Sequence, residues 1–173
     1  MLKDKTSRSK FRLKRVLVLL SFLILISGIY IWQLRSMNSN VAPPLQGVLL
    51  SGKPYALPAK PGEPVLVNFW ATWCQPCLAE QGSIAAIAQD HPNTITVVMR
   101  SGKDAGVASY IAEKNLHFAV LNDADGHISS SWGVRAVPAS FVIGPEGQIR
   151  SAEVGYQSEF ELRFRLWLAG LMG

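Results

Sequence analysis

Residues 65–77 read Val-Leu-Val-Asn-Phe-Trp-Ala-Thr-Trp-Cys-Gln-Pro-Cys. The first six, rich in β-branched and aromatic types and preceded by the turn-forming Pro61-Gly62-Glu63-Pro64, predict a central strand buried on both faces. Beyond the cysteines, Leu78, Ile84, Ile87 and Ala88 recur at helical spacing and stop before His91-Pro92, so 78–89 predicts a helix. Cys74 and Cys77 therefore stand where a buried strand ends and a helix begins. Positions i and i+3 of a first helical turn bring Cα atoms within the roughly 4.4–6.8 Å that a disulfide needs, so the pair can open and close on one scaffold. At the helix start, Cys74 meets unsatisfied N–H groups and the positive end of the helix dipole, which favour thiolate over thiol. It is the expected nucleophile. Cys77, one turn further in, is the expected buried resolving thiol. Pro76 lacks an N–H, which costs nothing in a first turn.

Working outward, residues 46–57 suggest a small hairpin turning at Ser51-Gly52-Lys53-Pro54, and 94–99 (TITVVM) a second buried strand. A helix is expected over 104–115, capped by Asp104, followed by a short strand at 118–121, a short helix at 128–132 and a strand at 139–143. Gly144-Pro145-Glu146-Gly147 then turns the chain into 148–154. Residues 158–171 close the domain as an amphipathic helix with Phe160, Phe164 and Trp167 on one side and Arg163 and Arg165 directed elsewhere. Strands alternating with helices, then a hairpin and a last helix, predict an α/β fold with a mixed central sheet flanked by helices.

The chain has 173 residues and a net charge of +5. Seven basic residues precede Val16, whereas from Ser36 onward nine basic residues face eleven acidic ones. The excess positive charge thus belongs to the tail, and nucleic-acid binding is not expected. Residues 16–34 (VLVLLSFLILISGIYIWQL) carry no charge, and 19 residues at about 1.5 Å each span about 28 Å, close to the hydrocarbon thickness of a bilayer. We read 1–15 as a basic cytoplasmic tail, 16–34 as a single transmembrane anchor, 35–44 as a proline-containing linker and 45–173 as the domain. A core helix of that length would show a polar stripe, and a cleaved signal peptide a small-x-small site, which Arg35-Ser36-Met37-Asn38 does not provide. The positive-inside rule then puts the domain on the outer side of the cytoplasmic membrane, in the periplasm or cell exterior. Only two cysteines occur. With no third cysteine to join and a very short loop between them, the pair is poorly explained as a structural staple.

These residues resemble the thioredoxins, and more closely their membrane-anchored TlpA/ResA-like branch, which carries a similar run to 67–77. Gly133-Val134-Arg135-Ala136-Val137-Pro138 is similar to that family's segment before its final hairpin. The terminal Gly155-Tyr156 and the run 162–167 also resemble, on weaker grounds, the suppressor-of-copper-sensitivity D-type proteins. The resemblance covers about 45–171 and implies a thioredoxin-like fold, with Pro138 cis and packed against the cysteine pair and Val137 offering backbone groups to a bound peptide. It implies a thiol-disulfide oxidoreductase that acts on protein thiols and disulfides and receives electrons from a membrane donor such as a DsbD/CcdA-like reductase. Apocytochrome c and copper-tolerance proteins are among the substrates it leaves open. No cofactor is expected beyond the Cys74–Cys77 disulfide, and no bound metal.

Two positions depart from the family pattern. Asn68 stands where thioredoxins usually place a buried Asp, and it cannot exchange a proton. Glu80, three residues after Cys77, is the candidate substitute, since its carboxylate could take the Cys77 proton and would raise nearby thiol pKa values; a solvated helix Glu is the alternative. Gly82 stands where the family commonly has Pro. Trp73, with Gln75 and Pro76, is a candidate rim for substrate docking, although tryptophans here more often pack. His91, His117 and His127 show no spacing that would complete a zinc site with the pair and are expected on the surface or in loops. Copper(I) accepts two thiolates, so a copper-binding or copper-delivery module is the alternative function.

Overall fold

The run of β-branched and aromatic residues at 65–70 forms strand β3 (Val65–Trp70), in which every residue is buried. The structure, a computed structural model, describes residues 41–172 and Ser21. The tail 1–15, the anchor 16–34 (Ser21 apart) and most of the linker lie outside the described residues. Among those described, no helix is long and apolar enough to cross a membrane.

Before β3 stands a hairpin of β1 (Gln46–Val48) and β2 (Pro54–Ala56), paired antiparallel. After it follow α1 (Gln75–Asp90), β4 (Thr94–Met99), α2 (Asp104–Glu113), β5 (Ala119–Asp123), α3 (His127–Ser131), β6 (Ala139–Ile143), β7 (Ile149–Val154) and α4 (Glu159–Leu171). The main sheet has the order β5-β4-β3-β6-β7. β3 pairs parallel to β4, and β4 parallel to β5. β6 pairs antiparallel to both β3 and β7. This is the mixed sheet expected, with β3 at its centre.

The two faces of β3 feed two cores, as period-2 alternation requires. Val65, Val67 and Phe69 enter one with Ile95, Val97, Trp132 and Phe141, where the Phe69, Trp132 and Phe141 rings lie 5.1–5.6 Å apart. Leu66 enters the other with Val142, Ile84 and Ile87 of α1, and Leu162, Leu166 and Ala169 of α4. β3 thereby fixes where α1 begins.

Two expectations are corrected, and α4 adds a detail the pattern did not give. Asp104 is not the cap of α2: Lys103 occupies the N-cap without a side-chain hydrogen bond, and Asp104 is the first helical residue, its carboxylate accepting from Asn122 Nδ2 at 2.7 Å. The short strand and helix around 120–130 fall at 119–123 and 127–131, because Asp123 accepts from the Ile128 and Ser129 N–H groups and so sets the start of α3. In α4 the face turned to the core is Leu162, Leu166 and Ala169, while Phe160, Phe164 and Trp167 point outward and are at least half exposed.

Candidate active site

Cys74 occupies the N-cap of α1 with extended backbone, φ −95° and ψ 107°. From there its Sγ accepts the Cys77 backbone N–H at 3.2 Å. The chain reaches this position because Trp70 ends the buried strand, Ala71 accepts the Cys74 N–H at 3.2 Å, and Thr72 N–H is held by Ser101 Oγ at 3.0 Å. Pro76 lies in the first helical turn, where no carbonyl awaits its missing donor. Cys74 and Cys77 form a disulfide with Cα atoms 5.3 Å apart. Cys77 is the more enclosed of the two, 1% exposed against 5% for Cys74. The sulfur expected to attack is thus the outer one, already receiving a first-turn N–H that would stabilise its thiolate.

The far side of the pair is built by the segment before β6. The Val137–Pro138 peptide is cis, and the Val137 carbonyl oxygen lies 3.4 Å from Cys74 Sγ. In the reduced protein a Cys74 thiol can donate to that oxygen. Gly155 N–H holds the Pro138 carbonyl at 2.8 Å, which ties this segment to the end of β7. Trp73 is 62% exposed, and its indole Nε1 donates to the Arg100 carbonyl at 3.1 Å. It is exposed beside the cysteine pair and is not a core packing residue. Gln75 and Pro76 are exposed beside it.

Glu80 is 1% exposed, and neither carboxyl oxygen has a hydrogen-bond partner. Burial pushes its pKa up to about 7, outweighing the nearby Gln157 backbone N–H, which pulls the other way without reaching hydrogen-bond geometry. The reading of Glu80 as a solvated helix residue is therefore wrong. It shares the buried face of α1 with Cys77, Gln81, Ile84 and Ile87. Gln81 donates to the Tyr110 hydroxyl at 3.2 Å, whereas the Glu80 carboxyl oxygens have no such partner. Asn68, also buried, donates through Nδ2 to Ser140 Oγ at 3.0 Å, so the position of the usual acid has become a neutral cross-strand bond. Sequence reasoning did not place Gln81, Tyr110 or Gln157 at the site; the α1 spacing could have pointed to Gln81, but Gln157 arrives from a distant loop. His117 and His127 are exposed and His91 is partly so. Among the described residues no group of three or more His, Cys, Asp or Glu side chains could hold a metal ion.

Residues 37–163 match the Redoxin family. The chain belongs to that family. As a Redoxin protein of the TlpA/ResA-like, thioredoxin-fold kind, it carries the close cysteine pair of a thiol-disulfide oxidoreductase of the ResA and DsbE type. It is 31% identical over 97 residues to the thiol-disulfide oxidoreductase ResA of Oceanobacillus iheyensis, covering 54% of this chain and 50% of that one. To the thiol:disulfide interchange protein DsbE of Yersinia pestis it is 27% identical over 178 residues, covering 92% and 90%. Apart from DsbE, the chain spans half to about three quarters of the length of these curated relatives. Among solved structures, a secreted Mycobacterium tuberculosis disulfide oxidoreductase superposes with a TM-score of 0.62 at 27% identity, over 72% of this Redoxin chain and 95% of that one.

Proposed function

We propose that this protein is a membrane-anchored, extracytoplasmic disulfide reductant that acts on protein substrates and is recharged by a membrane electron donor such as a DsbD/CcdA-like reductase. The observation that carries the reading is the placement of Cys74 Sγ at the N-cap of α1, accepting the Cys77 N–H, with the buried Glu80 on the same helix face as Cys77. In the reduced state the Cys74 thiolate attacks one sulfur of a substrate disulfide. That S–S bond breaks, the second substrate sulfur leaves as a thiolate, and a mixed disulfide forms on Cys74. Cys77 then gives its proton to ionised Glu80, and its thiolate attacks Cys74 Sγ. The mixed disulfide breaks, the first substrate sulfur leaves, and the substrate has gained two electrons while Cys74–Cys77 is oxidised. The Val137 backbone and Pro138 form one wall for the bound peptide, and Trp73, Gln75 and Pro76 the rim. Glu80 is the proton carrier because the interior offers it no other partner, and a group titrating near neutrality exchanges protons at little cost in either direction.

The direction of electron flow is tested by equilibrating the pair with glutathione buffers. A potential well below that of the glutathione couple supports a reductant, and one near the roughly −120 mV of strongly oxidising members of the fold contradicts it. Retention of one copper(I) ion per reduced chain against a competing chelator, without reduction of a disulfide substrate, would favour the copper-delivery reading.

A further inference from the structure

Helix α4 carries two apolar stripes on opposite sides. Leu162, Leu166 and Ala169 are fully enclosed in the core. Phe160, Phe164, Trp167 and Leu171 are 78%, 50%, 59% and 63% exposed. At 3.6 residues per turn these four fall within an arc of about 60°, turned away from the buried stripe, along about 16 Å of helix. Phe164 and Trp167 pack on each other, with ring centroids 5.8 Å apart. The cations that flank the stripe are already engaged. Arg163 bonds Glu159 at 2.7 Å and Asp90 at 2.8 Å, and Arg165 bonds Glu153 at 2.9 Å. The face therefore offers no charge for a charged partner to read.

Where the chain arrives says what covers it. Val41 bridges to Gln148, and Ala42 N–H donates to the Gly147 carbonyl at 3.0 Å. Two residues beyond Gln148, Arg150 Nη2 donates to the Met172 carbonyl at 2.7 Å, at the C-terminal end of α4. The apolar run 16–34 ends seven residues before Val41. Seven residues extend to at most about 25 Å. A bilayer that holds 16–34 is thus within reach of the end of the stripe.

We propose that the Phe160, Phe164, Trp167 and Leu171 face of α4 rests in the interfacial layer of the phospholipid bilayer, with the helix along the membrane plane; this rests on the anchored reading of 16–34. Tryptophan and phenylalanine favour that layer, and a helix with one apolar face can lie within it. A second copy of the chain fits less well, because a strip of about 16 by 10 Å is far below the roughly 800 Å² per partner of a stable interface. The redox end follows from the same geometry. α4 starts beside the active-site end of the sheet, where Val154 pairs with Ala139 and Gly155 bonds Pro138. A helix lying flat holds the Cys74 end close to the membrane surface, within reach of a membrane-borne electron donor.

The test uses the full chain reconstituted into vesicles of equal phosphatidylethanolamine and phosphatidylglycerol, with and without acyl chains brominated near the headgroup. The brominated lipid is expected to quench two portions of the emission, one from Trp32 in the anchor and one that disappears in Trp167→Phe. A Phe160→Ser, Phe164→Ser double variant loses the Trp167 portion while reducing a soluble disulfide at the parent rate. If the chain floats with the vesicles and the Trp32 portion is quenched, but Trp167→Phe changes nothing, the inference is overturned and the anchor stands. A chain that does not float overturns both. Blue-shifted Trp167 emission that ignores brominated lipid but tracks intermolecular crosslinking shows a second copy on this face, and also overturns it.

Discussion

A carboxyl in the interior with both oxygens unpartnered is costly to ionise, and Glu80 carries that cost in its pKa of about 7 against an ordinary 4.5. The folded protein therefore holds the Glu80 proton more tightly than the unfolded chain does. Its stability is fully supported below about pH 4.5, falls as pH rises toward 7, and levels off above it, a loss of about 3 kcal/mol by linkage. Glu80→Gln removes this dependence. Denaturant midpoints of the oxidised protein should coincide for the two forms near pH 4.5, and the Gln variant should be the more stable near pH 8. Parallel curves would mean that Glu80 does not titrate in the fold. In the reduced protein the same substitution removes a negative charge beside Cys77, so the Cys77 thiol should titrate lower while resolution of mixed disulfides slows; alkylation rates against pH report the first and rapid quenching the second. At this scale the cysteines and Pro138 were legible because their motif is short and local. The burial of Glu80 was half legible, since positions 77, 80, 81, 84 and 87 follow the spacing of one helix face. That Asn68 would bond Ser140 was not, because the two residues meet only through the register of β3 on β6.

Among the elements, α4 shows how far patterning goes. The helix and its start were read from composition, and Ser158 caps it in a full capping box, its Oγ accepting the Glu161 N–H at 3.3 Å while Glu161 accepts the Ser158 N–H at 2.9 Å. Ser158→Ala should cost about 1 kcal/mol in chemical denaturation and leave the redox potential unchanged. Which of its two apolar sides the helix buries was not legible. Phe160, Phe164 and Trp167 are the larger side chains, but Leu162, Leu166 and Ala169 match the narrow space beside Leu66 and Val142. Leu162→Ala should therefore lower stability by about 2–5 kcal/mol, whereas Phe160→Ala should change it by less than about 0.5 kcal/mol. A large loss for Phe160→Ala would show that the outer stripe belongs to the core. The turn before β7 is similarly demanding: Gly147 sits at φ +85°, and a Cβ there would strike the Ala59 carbonyl oxygen. Gly147→Ala should destabilise by more than about 1 kcal/mol, which the midpoint of thermal unfolding would report.

For the whole molecule, the order β5-β4-β3-β6-β7 puts the strand that leads to the cysteines in the middle, with parallel β4 on one side and antiparallel β6 on the other. Strand direction followed from helical crossovers and tight turns, both of which mark the sequence. Strand order did not, since it depends on which edges pair across the sheet. The consequence is a convergence: β3 leads to Cys74, the segment before β6 supplies Val137 and Pro138, and α1 supplies Cys77 and Glu80. The central claim is that this site performs disulfide exchange with Cys74 as nucleophile and Cys77 as resolving thiol. Its most direct test is to present a disulfide-bonded protein to the reduced Cys77→Ala and Cys74→Ala variants and to map any mixed disulfide by mass spectrometry. Mixed disulfides should accumulate on Cys74 in Cys77→Ala and be nearly absent from Cys74→Ala. Accumulation on Cys77 in Cys74→Ala, with none in Cys77→Ala, would contradict the account.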